Sequence, residues 1–118
     1  MPERTICLHG NRSSIVLERA ASGAPLWRYW GPRLADGVCP PPLAVQRPLA
    51  SFSLEEPEEL SLFPGFGLGW FGQPAILAHR GGQDFAFGVT DCTVEQVGAQ
   101  GLICTLTDAV AGMTVTVT

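Results

Sequence analysis

The chain contains no lysine, and all seven of its basic residues are arginine. The glycine-rich loops of kinases and Walker-type ATPases hold phosphate with a lysine, so the absence of lysine excludes both kinds of site. The arginines are scattered along the chain, and its net charge is −4. Because nucleic-acid binding depends on clustered positive charge, we expect no nucleic-acid partner.

Metal-binding patterns are also missing from the sequence. No C-x-x-C pair exists among Cys7, Cys39, Cys92 and Cys104, and neither histidine stands at zinc-finger spacing. We therefore predict no metal ligands and no cofactor. Three of the cysteines, at positions 7, 92 and 104, lie in apolar, strand-like segments. This setting favours reduced thiols that are buried as small hydrophobic side chains.

Long apolar runs are absent as well. No run approaches the roughly 18 residues that a membrane-spanning helix needs. Residues 1–14 lack the apolar centre of a secretory signal peptide. We expect a cytoplasmic chain with no membrane partner.

Glycine and proline are abundant, with 14 and 10 residues in a chain of 118. They divide the chain into short segments, which favours strands and turns over long helices. Several segments alternate apolar and polar side chains with a period of two, which is typical of antiparallel strands. The sequence therefore predicts an all-β fold, an antiparallel β-sandwich with little or no helix. The predicted strands are residues 4–9, 13–20, 26–31, 75–80, 84–89, 92–97, 101–107 and 113–118.

One predicted strand, LWRYWG, is rich in aromatic side chains. Strict alternation would place Trp27 and Tyr29 on one face and Arg28 and Trp30 on the other. Aromatic side chains dominate both protein cores and interfaces, so we expect the two tryptophans in one of these environments.

The stretch GLGWFG, residues 67–72, fits the G-x-G-x-x-G pattern of dinucleotide-binding loops. Such a loop needs a helix after it, whose N-terminus holds the pyrophosphate. Only residues 75–80 separate Pro74 from the next glycine turn, which is too short for a crossover helix. Two hypotheses remain for this loop: its rings close the mouth of the core, or Trp70 stacks on the flat face of a sugar. The glycines and rings concerned are Gly65, Gly67, Gly69, Gly72, Phe63, Phe66, Trp70 and Phe71.

Two polar features also bear on chemistry. Four glutamates surround Pro57 within residues 55–59. Retaining glycosidases hold two carboxyl groups about 5 Å apart on a rigid scaffold, so this proline-broken cluster is expected to be a solvated loop and not a catalytic pair. Arg33 is expected to form an interior ion pair, with a sugar hydroxyl as the alternative partner.

Three stretches of the sequence resemble the N-terminal β-sandwich of glycoside hydrolase family 36 α-galactosidases. Residues 25–34, PLWRYWGPRL, are similar to the family's early L-x-H-L-Y-x-G-x-x-L strand. Residues 51–85 resemble a segment with the pattern E-x-P-x-Y-G-x-G-D-F-R-x-P-A, and residues 102–117 resemble strands in the middle of that sandwich. The chain departs from the second pattern, because Trp70 and Gly72 replace the family's Asp and Arg.

The resemblance implies that residues 1–118 are a partial N-terminal sandwich, within a larger supersandwich. In the family a (β/α)8 barrel follows and carries the Asp nucleophile and Asp acid/base of retaining hydrolysis. Neither catalytic motif occurs in this sequence, so we predict no catalytic residue here. The implied role is a non-catalytic module of a homo-oligomeric enzyme that hydrolyses terminal α-galactosides.

In that role the module would scaffold the barrel, mediate subunit contacts and line the site for the α-galactoside. The candidate substrate-binding residues are Trp30, Arg33, Phe66 and Trp70. The alternative is an independent β-sandwich that binds carbohydrate or serves only in oligomerisation.

Overall fold

The computed structural model describes residues 5–21, 23–39, 51–52, 60–68 and 72–118. These residues form two antiparallel sheets of three strands each. The only helical element within them is a single 3-10 turn at Phe66–Leu68. The all-β prediction is therefore confirmed. The first sheet contains β1 (Thr5–His9), β2 (Ser13–Arg19) and β3 (Pro25–Pro32), and the second contains β4 (Asp91–Val97), β5 (Gly101–Asp108) and β6 (Met113–Val117).

In the first sheet β2 is the central strand and is buried on both faces. Leu17 points to the second sheet's side, where it lines a cavity shared with that sheet. On the other face Ser14 accepts a hydrogen bond from the backbone N–H of Leu34 at 2.9 Å and lies 2.8 Å from His9 Nδ1. Glu18 forms a buried ion pair with Arg28, at 2.6 Å between Oε2 and Nε. The alternation of β2 thus separates an apolar face from a face whose buried polar groups are hydrogen-bonded.

A β-bulge changes which side chains of β3 lie on the same face of the sheet. Leu17 pairs with Trp27, and the register then shifts so that Ile15 pairs with Trp30. One extra residue in β3 places both tryptophans on the same face of the sheet, with ring centroids 6.3 Å apart. The prediction that they lie on opposite faces is wrong, because strict alternation cannot anticipate an inserted residue.

The second sheet follows its predicted alternation. Seven side chains point into the core from β4, β5 and β6, while the threonines of β6 are exposed. The central strand β5 is the most buried of the three. The inward residues of this sheet are Cys92, Val94, Cys104, Leu106, Met113, Val115 and Val117.

The two segments predicted as strands at residues 75–80 and 84–89 are not strands. Their only sheet-like feature is an isolated bridge between Arg80 and Gln83 around the glycine turn. Asp84 has a φ of 58°, which interrupts any extended conformation. Phe87 and Val89 are nevertheless buried in the core, so the apolar alternation reflects the packing of an irregular segment.

Hydrogen bonds between β1 and the β4–β5 hairpin join the two sheets. The N–H of His9 donates to the carbonyl of Ala99 at 2.9 Å, and Gln96 Nε2 donates to the carbonyl of Cys7 at 3.0 Å. Between the sheets lies an apolar cavity of about 400 Å³. Its walls include Leu8, Leu17, Trp27, Leu102, Ile103 and Val117.

A disulfide links Cys7 in β1 to Cys39, with their Cα atoms 5.8 Å apart. It fastens the segment after β3 to the first strand. The prediction of a reduced, buried thiol is therefore wrong for Cys7, because the chain brings Cys39 back beside β1. Cys92 and Cys104 are free thiols, as predicted.

Candidate functional site

The most prominent exposed feature of the described residues is an aromatic surface on the edge strand β3. We call Trp27, Trp30 and Leu60 the tryptophan surface. Trp30 is 77% exposed and Leu60 is 52% exposed, whereas Trp27 is half-buried. Together with Arg28 and Tyr29 these side chains line an open groove of about 500 Å³. Large exposed rings that lie side by side are typical of a binding or contact surface.

The tryptophan surface is built by two features of β3, its bulge and its pairing with the segment around Leu60. The bulge in β3 brings the two indole rings together at an interplanar angle of 37°. The segment containing Leu60 then runs along the first half of β3, because Trp27 N–H donates to the carbonyl of Leu60 and Leu62 N–H donates to that of Pro25, both at 2.8 Å. Edge pairing therefore holds the surface in a fixed geometry.

Arg33 follows β3 and is engaged in local contacts. Its guanidinium donates to the carbonyl of Gly10 at 2.5 Å and forms an ion pair with Asp36. Its backbone N–H donates to the carbonyl of Arg12 at 3.0 Å. The predicted ion pair is present but exposed, so its interior location was wrong. In this geometry Arg33 braces the β1–β2 turn near the end of the tryptophan surface.

Phe66 begins the 3-10 turn and is 42% exposed. The turn lies directly against residues 87–88, since Gly67 N–H donates to the carbonyl of Phe87 at 3.0 Å. A Cβ on Gly67 would come within 2.5 Å of Gly88 Cα. Close approach of two backbones therefore explains this glycine, and its N–H is already bonded within the protein.

The predicted site residues do not all come together in the described part of the chain. No ring contact joins Phe66 to Trp30 among those residues, whereas Phe63 packs edge-on against Phe87 at 5.7 Å. Phe63 thus supports the hypothesis that rings of this loop close the core. Trp70 lies outside the described residues, as do the four glutamates of residues 55–59.

The two buried carboxylates within the described ranges, Glu18 and Asp108, have structural partners. Glu18 is paired with Arg28. Asp108 accepts hydrogen bonds from the backbone N–H groups of Gly88, Val110 and Ala111. These bonds, first of all the one from Gly88, hold the pKa of Asp108 below its ordinary value. Both carboxylates are held in place by these partners, so neither has the free position of a general acid.

Two further observations limit the site. No group of three or more His, Cys, Asp and Glu side chains that could hold a metal ion occurs in the ranges given above. In the same ranges no helix is long and apolar enough to cross a membrane. His79 instead accepts a hydrogen bond from Gly82 N–H at 3.1 Å and lies against the ring of Phe85.

Sequence reasoning identified Trp30 but missed the surface around it. The pairing of Leu60 with β3 joins residues far apart in the sequence, and no local pattern predicts it. The cavity between the sheets was missed for the same reason. The sequence of β3 also gives no sign of a bulge, because it contains no glycine before Gly31.

The family comparison agrees with the fold. A family model described as the glycosyl hydrolase family 36 N-terminal domain matches residues 23–118, which is more than half of the chain. The match begins just before β3 and continues through β6. Neither the curated proteins nor the solved structures contain a match.

Proposed function

The chain belongs to the glycosyl hydrolase family 36 N-terminal domains, and from this premise we propose that it serves an α-galactosidase-like enzyme as a non-catalytic module. It forms part of an N-terminal sandwich that scaffolds a catalytic barrel. It also takes part in subunit contacts and lines the site for the terminal α-galactoside. Its partners are thus the galactoside in the full-length enzyme and a second copy of the chain.

The observation that carries this proposal is the exposure of Trp30 beside Trp27 and Leu60. An indole that is 77% exposed leaves a large apolar area in water. Covering this area with the face of a pyranose ring, or with apolar side chains of a neighbouring domain, would be favourable by the hydrophobic effect. Phe66 contributes a second exposed ring, and Arg33 fixes the turn beside β3.

The proposal assigns no bond cleavage to this chain. The purified chain should therefore release no p-nitrophenol from p-nitrophenyl α-galactoside. An enzyme that joins this chain to its catalytic domain serves as the positive control. Release of p-nitrophenol by the chain alone, at a rate above that of a glycosidase-free control preparation, would contradict the non-catalytic role.

A second function is favoured by the side-by-side tryptophans, which by themselves could bind a sugar. In this alternative the chain is an independent carbohydrate-binding sandwich. Titration with galactose or raffinose, followed by tryptophan fluorescence, separates the two functions. A saturable change that disappears in Trp30→Ala or Trp70→Ala supports independent binding, whereas no response supports the module that acts only in the full-length enzyme.

A further inference from the structure

Two free thiols lie in contact inside the second sheet. Cys92 is in β4 and Cys104 is in β5, and their Sγ atoms are 3.4 Å apart. In the strand register Cys92 pairs with Leu106 and Cys104 pairs with Val94, so the cysteines are diagonal neighbours on the inward face. The contact therefore follows from the regular register of the sheet, which keeps the two thiols together.

The two thiols differ in their access to solvent. Cys104 is fully buried, with 0% of its surface exposed, whereas Cys92 is only partly buried. A small reagent can therefore reach Cys92 first. The Cys104 thiol is shielded from solvent but lies in contact with the sulfur of Cys92.

A positive charge lies beside the pair. Arg19 in β2 donates from Nη2 to the carbonyl of Val94 at 3.0 Å. Its Nε is buried and has no hydrogen-bond partner in the described part of the chain. Burial raises the pKa of both thiols, and the positive charge of the guanidinium opposes part of that rise at each sulfur. Arg19 thus stabilises whichever sulfur carries negative charge during a thiol exchange.

We propose that Cys92 and Cys104 form a dithiol site that reacts with a small-molecule disulfide of the glutathione type. The Cys92 thiolate attacks one sulfur of the small disulfide, which forms a mixed disulfide and releases one small thiol. The Cys104 thiolate then attacks the Cys92 sulfur and releases the second small thiol. In sum, two protein thiols are oxidised to one disulfide and one small disulfide is reduced to two thiols.

The product is a cross-link between β4 and β5 on the core side of the sheet. It requires the sulfur atoms to approach from 3.4 Å to about 2.05 Å. The chain also holds a disulfide between Cys7 and Cys39, and whether the second pair is oxidised alongside it depends on the reduction potential of that pair. This inference is independent of the proposed sugar-related function.

Peptide mapping of the folded chain tests the proposal. The chain is incubated with oxidised glutathione at mildly alkaline pH, and the remaining thiols are blocked with iodoacetamide. Trypsin leaves both cysteines in one peptide, because no arginine or lysine follows Arg80. A second protease that cleaves after Glu95 separates Cys92 from Cys104. Peptides 81–95 and 96–118 should then be recovered as a disulfide-linked pair.

Two variants test the order of the steps. Cys104→Ala should accumulate the mixed disulfide at Cys92, since no resolving thiol remains. Cys92→Ser should leave Cys104 unmodified in the folded chain. Circular dichroism confirms that each variant is folded, and the wild-type mapping decides the question without them.

Either of two results would overturn the proposal. One is a wild-type chain whose Cys92 carries a lasting mixed disulfide while Cys104 stays free. The other is a folded wild-type chain in which neither thiol is lost, although both react after unfolding. The latter result would mark the pair as packing residues only.

Discussion

Asp108 shows how a single buried side chain organises this fold. Its Oδ1 atom accepts hydrogen bonds from the N–H groups of Val110 and Ala111, at 2.9 and 3.0 Å, and its Oδ2 atom accepts one from Gly88 at 3.0 Å. The carboxylate thereby joins the β5–β6 turn to the irregular segment that contains Phe87. No sequence pattern predicts this role, because its partners are backbone groups.

Replacement of Asp108 by alanine should lower the free energy of unfolding by about 2–3 kcal/mol, since it leaves backbone donors without an acceptor in a buried place. Urea denaturation at neutral pH measures the change. Asp91→Ala serves as the control, because Asp91 is exposed and should change stability by less than about 0.5 kcal/mol. Equal effects of the two substitutions would contradict the structural role of Asp108.

The same carboxylate should make stability depend on pH. The pKa of Asp108 in the folded state is lowered, mainly by the Gly88 hydrogen bond. The ionised carboxylate therefore contributes to the free energy of unfolding above the unfolded pKa of about 3.9, and this contribution is lost as the pH falls through the folded pKa. The stability difference between wild type and Asp108→Ala should therefore shrink in acid. Urea midpoints at neutral pH and near pH 3 test this, and a difference that stays constant would refute it.

The two free thiols should lose their protons only at a pH higher than that of an ordinary cysteine. Burial raises the pKa of Cys104 to about 12 and raises the pKa of Cys92 above its ordinary value of 9.0. Among the charged groups around Cys92, Asp91 adds to this rise and Arg19 opposes it. Alkylation of Cys92 by iodoacetamide in the folded chain should therefore keep accelerating above pH 9, as monitored by mass spectrometry. A rate that levels off below pH 9 would contradict this environment.

Among the structural elements, the 3-10 turn depends most sharply on one glycine. A Cβ on Gly67 would lie 2.6 Å from the carbonyl oxygen of Phe87, which belongs to the backbone and cannot move aside cheaply. Gly67→Ala should cost about 1–3 kcal/mol of stability by overpacking, as measured by urea denaturation. Gly10→Ala is the matched control, because its nearest neighbour would be at 3.4 Å. A Gly67→Ala variant with the same free energy of unfolding as the wild type would show that the loop is not packed against residues 87–88.

The strands illustrate what the sequence can and cannot predict. The alternation of β4, β5 and β6 depends only on burial of one face, so the pattern predicted their inward residues correctly. The bulge in β3 arises from pairing with β2, which is invisible in β3 alone. Residues 84–89 alternate in the same way as a strand, but the positive φ of Asp84 and the contact of Phe87 with Gly67 give them an irregular path.

For the whole molecule, the disulfide should contribute substantially to stability. Cys7 and Cys39 are 32 residues apart in the sequence, and closing a loop of that length is worth about 3–4 kcal/mol in the chain-entropy model. The double substitution Cys7→Ser and Cys39→Ser should therefore lower the melting temperature, as measured by circular dichroism. An unchanged melting temperature would show that the bond does not constrain the unfolded chain.

The candidate site could be predicted from the sequence only in part, because some of its features depend on the assembled molecule. Trp30 is exposed enough to bind a ligand or a partner, and its selection depended on the aromatic strand and the family resemblance. The groove, by contrast, needs Leu60 and the bulge together, and these depend on the assembled sheet. The role of Trp70 stays a prediction, because it lies outside the described residues.

We propose that the tryptophan surface is covered in the full-length glycoside hydrolase. Hydroxyl-radical footprinting measures this directly, because trypsin places Trp30 in peptide 29–33 and Trp27 in peptide 20–28. Trp30 should be oxidised readily in the chain alone and be protected at least severalfold when the chain is joined to its catalytic domain in the presence of an α-galactoside. Equal oxidation of Trp30 in both samples would contradict the claim.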